Sequence, residues 1–145
     1  MALDSGGHPE AAYRRLMDAV GTGREDQVDE LLAPDFVDYN PIPGQASGPA
    51  GFREWMHAAR AAFPDLTATV EDVVTESDRL AGRVRYRGRH GGDFLCVAAT
   101  GRTVDFEAFH FVRFRNGRIA EWWGTADLLA ALHQVGARVT APAEP

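Results

Sequence analysis

The chain has 145 residues, 45% of them hydrophobic, which suits one domain able to enclose a core and a ligand cavity. Its formal charge of −6 and a pI near 5.3 argue against a nucleic-acid module, which carries a basic face. No stretch approaches the roughly 18 apolar residues of a membrane span, so no membrane partner is expected either.

Met1 to Glu10 holds Gly, His, Pro and acidic residues in place of a charged segment followed by an apolar run. That composition predicts a cytoplasmic protein without a signal peptide, with residues 1–8 as a disordered tail. A helix is predicted from Pro9 to Val20, where Ala12, Leu16, Ala19 and Val20 recur at helical spacing before Gly21-Thr22-Gly23. A second follows over Glu25 to Leu32 and stops at Pro34. Asp35 to Asn40 reads as a short extended piece, closed by the turn-rich run Pro41 to Pro49. A third helix spans Pro49 to Ala62, with Phe52, Trp55, Met56, Ala59 and Phe63 as its apolar stripe.

After Pro64 the period changes from helical to alternating. Leu66, Ala68, Val70 and Val73 mark a first strand. Arg79 to Arg89 marks a second, with Leu80, Gly82, Val84, Tyr86 and Gly88 on one face and Arg83, Arg85, Arg87 and Arg89 on the other. Gly91-Gly92 turns the chain into a strand from Val104 to Arg115. Asn116-Gly117 is a two-residue hairpin signal, and Arg118 to Trp123 pairs back. A last helix from Ala126 to Gln134 ends at Gly136, and residues 137–145 read as a second disordered tail. Helices followed by an antiparallel meander predict an α+β domain over 9–136, with helices on one face of a curved sheet and a pocket between them.

Cofactor chemistry is not signalled. The single cysteine, Cys96, permits neither an internal disulfide nor a thiolate zinc site, and its apolar neighbours predict a buried structural thiol. No group of His and carboxylate residues has metal-ligand spacing, and no glycine loop is built to cradle phosphate. His57 and His90 read as surface or turn residues. The arginine stripe reads as the solvated outer face of the sheet.

Several ordered pieces carry a resemblance: Pro34-Asp35-Phe36-Val37-Asp38-Tyr39-Asn40-Pro41, Ala62-Phe63-Pro64-Asp65-Leu66, Val70-Glu71-Asp72-Val73-Val74, Arg87-Gly88-Arg89-His90, Thr100-Gly101-Arg102 and Arg113 to Trp123, with Leu132 to Gly136 at the end. In this order the sequence resembles the SnoaL-like polyketide cyclases, within the nuclear-transport-factor-2 cone fold. The resemblance implies a cofactor-independent enzyme acting on a small polyketide, and a homodimer paired through its sheets. Family members close rings by aldol condensation, while relatives open epoxides or form cyclic ethers in polyether pathways. One fold hosts many chemistries, so a non-catalytic carrier of a hydrophobic ligand is the reading from another class.

The aldol cyclases of the family are expected to carry an aspartate two residues past the position of Trp122. Here that position is Gly124, so other groups must move the proton in this chain. Asp38, flanked by Val37, Tyr39 and Pro41, is the first candidate, because a partly buried carboxylate suits general acid–base work. A turn-forming aspartate before a Pro-rich run would look the same. Asp65, after Phe63-Pro64, is either a turn residue or, by resemblance to epoxide-opening relatives, a partner acid. Asp105 opens the third long strand and points away from His110 unless a bulge intervenes. His110, among Phe106, Ala108, Val112 and Phe114, is given a positioning role. Tyr39, Trp55, Tyr86, Phe106 and Trp122 are expected to shape an aromatic pocket. The predicted reaction is closure of a pyran or furan ring, with Asp38 as base and Asp65 or Asp105 as acid.

Overall fold

The structure, a computed structural model, describes residues 8–145. Helices α1 (Pro9–Thr22) and α2 (Asp26–Leu31) precede strand β1 (Leu32–Asp38) and helix α3 (Gly48–Ala62). Strands β2 (Thr67–Glu76), β3 (Arg79–Arg89), β4 (Thr103–Arg115) and β5 (Arg118–Ala126) follow, and α4 (Leu128–Gln134) ends the regular structure. The five strands form one sheet in the order β1-β5-β4-β3-β2.

Each boundary has a local cause. Pro9 begins α1 where a missing N–H costs nothing. Gly23, left-handed at φ 76°, ends it by donating its N–H to the Ala19 carbonyl. Asn116 and Gly117 both take positive φ, as the tight β4–β5 turn requires. The Asp127 carboxylate caps α4 by accepting from the Ala130 N–H, so that helix starts later than its apolar pattern suggests, and Ala126 stays in β5.

The β2–β5 meander is antiparallel throughout, as the alternating pattern predicts. The segment before the Pro-rich turn differs: it pairs parallel to β5 as an edge strand, with Asp38 opposite Trp122. This pairing fixes which residues of the segment face inward. Phe36 is buried, Val37 and Tyr39 are exposed, and Asp38 turns to the inner side.

The inner face of the sheet packs on α1 and α3. Tyr13, Leu16, Met17 and Val20 of α1 are fully buried, as are Leu80 and Val84 of β3 and Val112 of β4. Each large aliphatic side chain buried this way contributes about 1.5–3 kcal/mol before entropy is counted. No helix among the described residues is long and apolar enough to cross a membrane.

Three expectations fail here for identifiable reasons. His8, placed in a disordered tail, is the N-cap residue of α1; the rest of that tail, residues 1–7, lies outside the described residues. Cys96 is exposed, not buried, because Phe94 to Val97 forms a tight turn standing off the sheet, with Leu95 and Cys96 both at positive φ. Of its apolar neighbours, Leu95 lines a cavity, whereas Val97 packs at the edge of the core. His90, read as a surface or turn residue, does stand where the chain leaves β3, but it is fully buried and not at the surface. Thr100 holds its Nδ1 through both the hydroxyl (2.9 Å) and the backbone N–H (3.2 Å). Among the described residues its Nε2 has no partner, and its ring packs near those of Phe63 and Phe94. The 137–145 segment has no helix or strand.

Candidate active site

A cavity of about 300 Å³ opens between the inner face of the sheet, α3 and the segment after β1. Phe52 and Trp55 of α3, Tyr86 of β3 and Trp122 of β5 are among the residues of its apolar wall. Burial alone drives the Tyr86 phenol well above its ordinary range. Phe52 meets Trp122 edge to face at 5.8 Å, and Trp55 meets Tyr86 similarly at 6.4 Å, so the aromatic lining is a connected set.

Asp38 is the only carboxylate among the described residues that line this cavity. Its Oδ1 accepts from the backbone N–H of Asn40 (2.9 Å) and its Oδ2 from Nε2 of Gln45 (3.1 Å). Asn40 in turn accepts from the backbone N–H of Gly124 (3.0 Å), tying the turn to β5. The turn-forming and functional roles weighed for this aspartate therefore coexist. One lone pair of each oxygen shapes the turn, and the others remain for a substrate proton.

His110 projects from the middle of β4 into the same cavity. Its cross-strand neighbours are Gly82 on β3 and Gly124 on β5. The absent side chain at Gly82 makes room for Tyr13, whose ring and hydroxyl a Cβ there would strike. Tyr13 reaches across from α1 and its hydroxyl lies 2.7 Å from His110 Nδ1. Burial pushes the Tyr13 phenol far up and pulls the His110 imidazole down to about 3. Both groups are therefore neutral near pH 7. Among the described residues the phenol has no other acceptor, so its proton goes to Nδ1, which leaves the ring proton on Nε2. Tyr13 carried no signal in the sequence: it is 97 residues away from His110 and looks like one more aromatic on an amphipathic helix.

Asp38, His110, Trp55, Tyr86 and Trp122 are thus brought together as expected. The other predicted residues are not. Asp105 lies on the outer face, because β4 keeps an unbroken register with β3 from Thr103 to Arg113 and no bulge turns it inward. Hydrogen bonds from Arg85 (2.7 Å) and Arg87 (3.2 Å) hold its carboxylate below the usual range. Gln134 clamps its backbone from α4. Asp65 is exposed, does not line the cavity, and accepts from the Arg89 backbone N–H at 2.7 Å, closing the end of β3. Phe106 packs behind Tyr86 at 5.6 Å without reaching the cavity. Tyr39 stacks on Trp123 at 4.5 Å and donates to Glu121 on the outer face. The arginine stripe faces outward as read, but Arg83 and Arg85 are ion-paired across strands to Glu107, Asp105 and Glu71. Among the described residues no cluster of His, Cys, Asp and Glu could hold a metal ion.

The same architecture recurs in solved structures. TsrD from Streptomyces laurentii superposes with a TM-score of 0.84 at 26% identity, covering 94% of this chain and 100% of its own. IdmH from Streptomyces antibioticus gives 0.80 at 33% identity, covering 90% and 99%. Among curated proteins, the nogalonic acid methyl ester cyclase of Streptomyces nogalater is 32% identical over 127 residues, 83% of this chain and 92% of its own. The aklanonic acid methyl ester cyclase DnrD of Streptomyces peucetius is 28% identical over 130 residues, covering 85% and 87%. The family description "SnoaL-like polyketide cyclase" matches residues 10–135, nearly the whole described chain. With that match added to a cavity lined by one carboxylate and one histidine, the chain belongs to the SnoaL-like polyketide cyclase family and is a cyclase enzyme.

Proposed function

We propose that the protein closes a cyclic ether, a pyran or furan, on a polyketide, with Asp38 carrying the one proton that moves. The carrying observation is that Asp38 alone supplies a carboxylate to the cavity. Asp65 and Asp105, first considered as partner acids, lie elsewhere, so a two-carboxylate scheme is replaced by a one-carboxylate cycle. A substrate hydroxyl gives its proton to Asp38 as its oxygen forms the new C–O bond. In an epoxide substrate the epoxide C–O bond breaks and the released alkoxide takes the proton back. In an unsaturated ketone the proton returns to the carbon next to the carbonyl. Either route is an isomerisation, so no cofactor, oxidant or net proton is required. The aromatic walls fold the chain so that hydroxyl and electrophile meet, which lowers the barrier by removing rotational and translational freedom.

A second reading has its own support. The curated relatives are cyclases of nogalonic and aklanonic acid methyl esters, and aldol closure uses the same single-proton cycle through an enolate. Gly124 weighs against it, because the aspartate expected in aldol cyclases of the family is missing. Incubating the purified protein with a linear hydroxylated polyketide epoxide or enone decides between them. The expected product has the substrate's mass and a new C–O–C linkage by NMR; a new C–C bond would replace this proposal with the aldol reading.

The outer face fits a homodimer. Phe109 and Phe111 are 51% and 42% exposed in the middle of a regular sheet, beside the stacked pair Tyr39 and Trp123. Arginines and acids alternate around them, so two copies related by a two-fold axis can exchange ion pairs. Light scattering on the full chain is expected to give twice the chain mass, and Phe109→Arg with Phe111→Arg to give one chain mass with an unchanged circular dichroism spectrum. A monomeric starting protein would rule the dimer out.

A further inference from the structure

We infer that the cavity has a second, apolar subsite, which takes the hydrocarbon end of the polyketide and selects substrates by its length. Phe94, Leu95, Ala108, Ala126 and Leu128 form it. The subsite rests on the cyclase reading for the identity of its ligand, but it is built from other residues.

Strand register lays the lining out along one axis. On β5, Trp122 stands opposite Asp38, Gly124 opposite His110, and Ala126 opposite Ala108. At about 3.3 Å per residue, Trp122 to Ala126 spans roughly 13 Å. The carboxylate, amides and imidazole of the lining gather at the first end. There Gln45 donates to Asp38, and Asn40 is tied to Gly124, the cross-strand neighbour of His110. Ala108 and Ala126 border the way onward with nothing larger than methyl groups.

The far end is apolar. Leu128 opens α4 just beyond the end of β5. Phe94 packs against Phe63 at 5.0 Å, and Phe63 lies 6.5 Å from Phe106, two residues before Ala108 on the same face of β4. The turn that carries Leu95 therefore stands at the Ala108 end, away from Asp38.

Two features point to an apolar ligand at this end. Leu95 and Leu128 line the cavity yet are 49% and 42% exposed, so its rim leaves apolar surface to water. A hydrocarbon chain laid there removes water from both partners. The turn also holds Leu95 and Cys96 at φ of 45° and 66°, where glycine or asparagine is the ordinary choice. Strain of this kind persists where the surroundings impose it, and here it sets a leucine side chain against the cavity.

Straight-chain alcohols from hexanol to decanol serve as probes, with the hydroxyl for the Asp38 end and the alkyl chain for the far one. Trp55 and Trp122 line the cavity, so tryptophan fluorescence reports binding. Affinity is expected to rise about two- to fourfold per added CH2 group. Leu95→Ala and Leu128→Ala are each expected to weaken decanol about threefold or more while leaving hexanol nearly unchanged. Ala126→Leu narrows the passage, so decanol should then bind no better than hexanol. Leu129→Ala, at an exposed position of α4 outside the cavity lining, should change neither. Equal losses of hexanol and decanol in the two rim variants, or an affinity indifferent to chain length, would overturn the subsite. A changed oligomeric mass in those variants, with the chain-length dependence of the wild type kept, would assign the rim to a second copy of this chain instead. Binding needs no turnover, so the two readings fail separately. Length dependence without any ether product removes ether closure and leaves the subsite. Ether product without length dependence removes the subsite and leaves ether closure.

Discussion

Asp38→Asn is expected to lower kcat by about 10²–10⁴-fold, the range for losing a positioned general base. Asparagine keeps the shape of the side chain and one carbonyl oxygen. It can still accept the Asn40 N–H, which holds the turn after β1 together. What it cannot do is accept and return a proton at neutral pH. The two roles of Asp38 are therefore read separately. Thermal midpoint reports the turn and moves little, whereas kcat reports the proton and falls steeply. KM is expected to stay close to the wild-type value, because the aromatic walls supply most of the binding surface. A variant with lower thermal midpoint and unchanged kcat would reduce Asp38 to a turn residue.

How far the sequence foretold this arrangement depended on the range of the contacts involved. Alternation in Arg79 to Arg89 and in Val104 to Arg115 located β3 and β4 to within a residue, because period and burial agree along their whole length. The same alternation already put Asp105 and His110 on opposite faces. Only an added bulge could have joined them, and the regular β3–β4 pairing leaves no place for one. Parallel pairing of β1 with β5 was not legible, since Leu32–Asp38 and Arg118–Ala126 share no local signal. Nor was the Tyr13–His110 bond, which exists only because Gly82 opens the sheet beneath the α1 tyrosine. Cys96 and Leu95 misled for a related reason: an apolar run reads as core whether its neighbours are a sheet or an empty cavity. Gly124 was read as a missing acid; that a Cβ there would press on Trp122 and His110 needed coordinates.

The neutral state of His110 also carries a cost that grows with acidity, and this gives the largest expected effect on stability. Its imidazole titrates near 6.5 in an unfolded chain and is pulled to about 3 by burial in the fold. Between those values the unfolded chain binds a proton that the folded protein does not. The sign follows directly: the contribution of His110 is intact above about pH 6.5 and is lost progressively as pH falls toward 3. The slope is at most about 1.4 kcal/mol per pH unit, so roughly 2–3 kcal/mol disappears between pH 6 and pH 4. His110→Gln keeps a polar atom for the Tyr13 hydroxyl but does not titrate. At pH 7 the variant is expected to be the less stable by about 1–3 kcal/mol, since the fit to Tyr13 and Trp122 is poorer. On acidification the wild type should lose stability faster, so the two urea-unfolding curves approach and then cross. Parallel pH dependence of the two midpoints would mean that His110 takes up its proton in the folded state as readily as in the unfolded chain, and that its burial contributes nothing to the acid sensitivity.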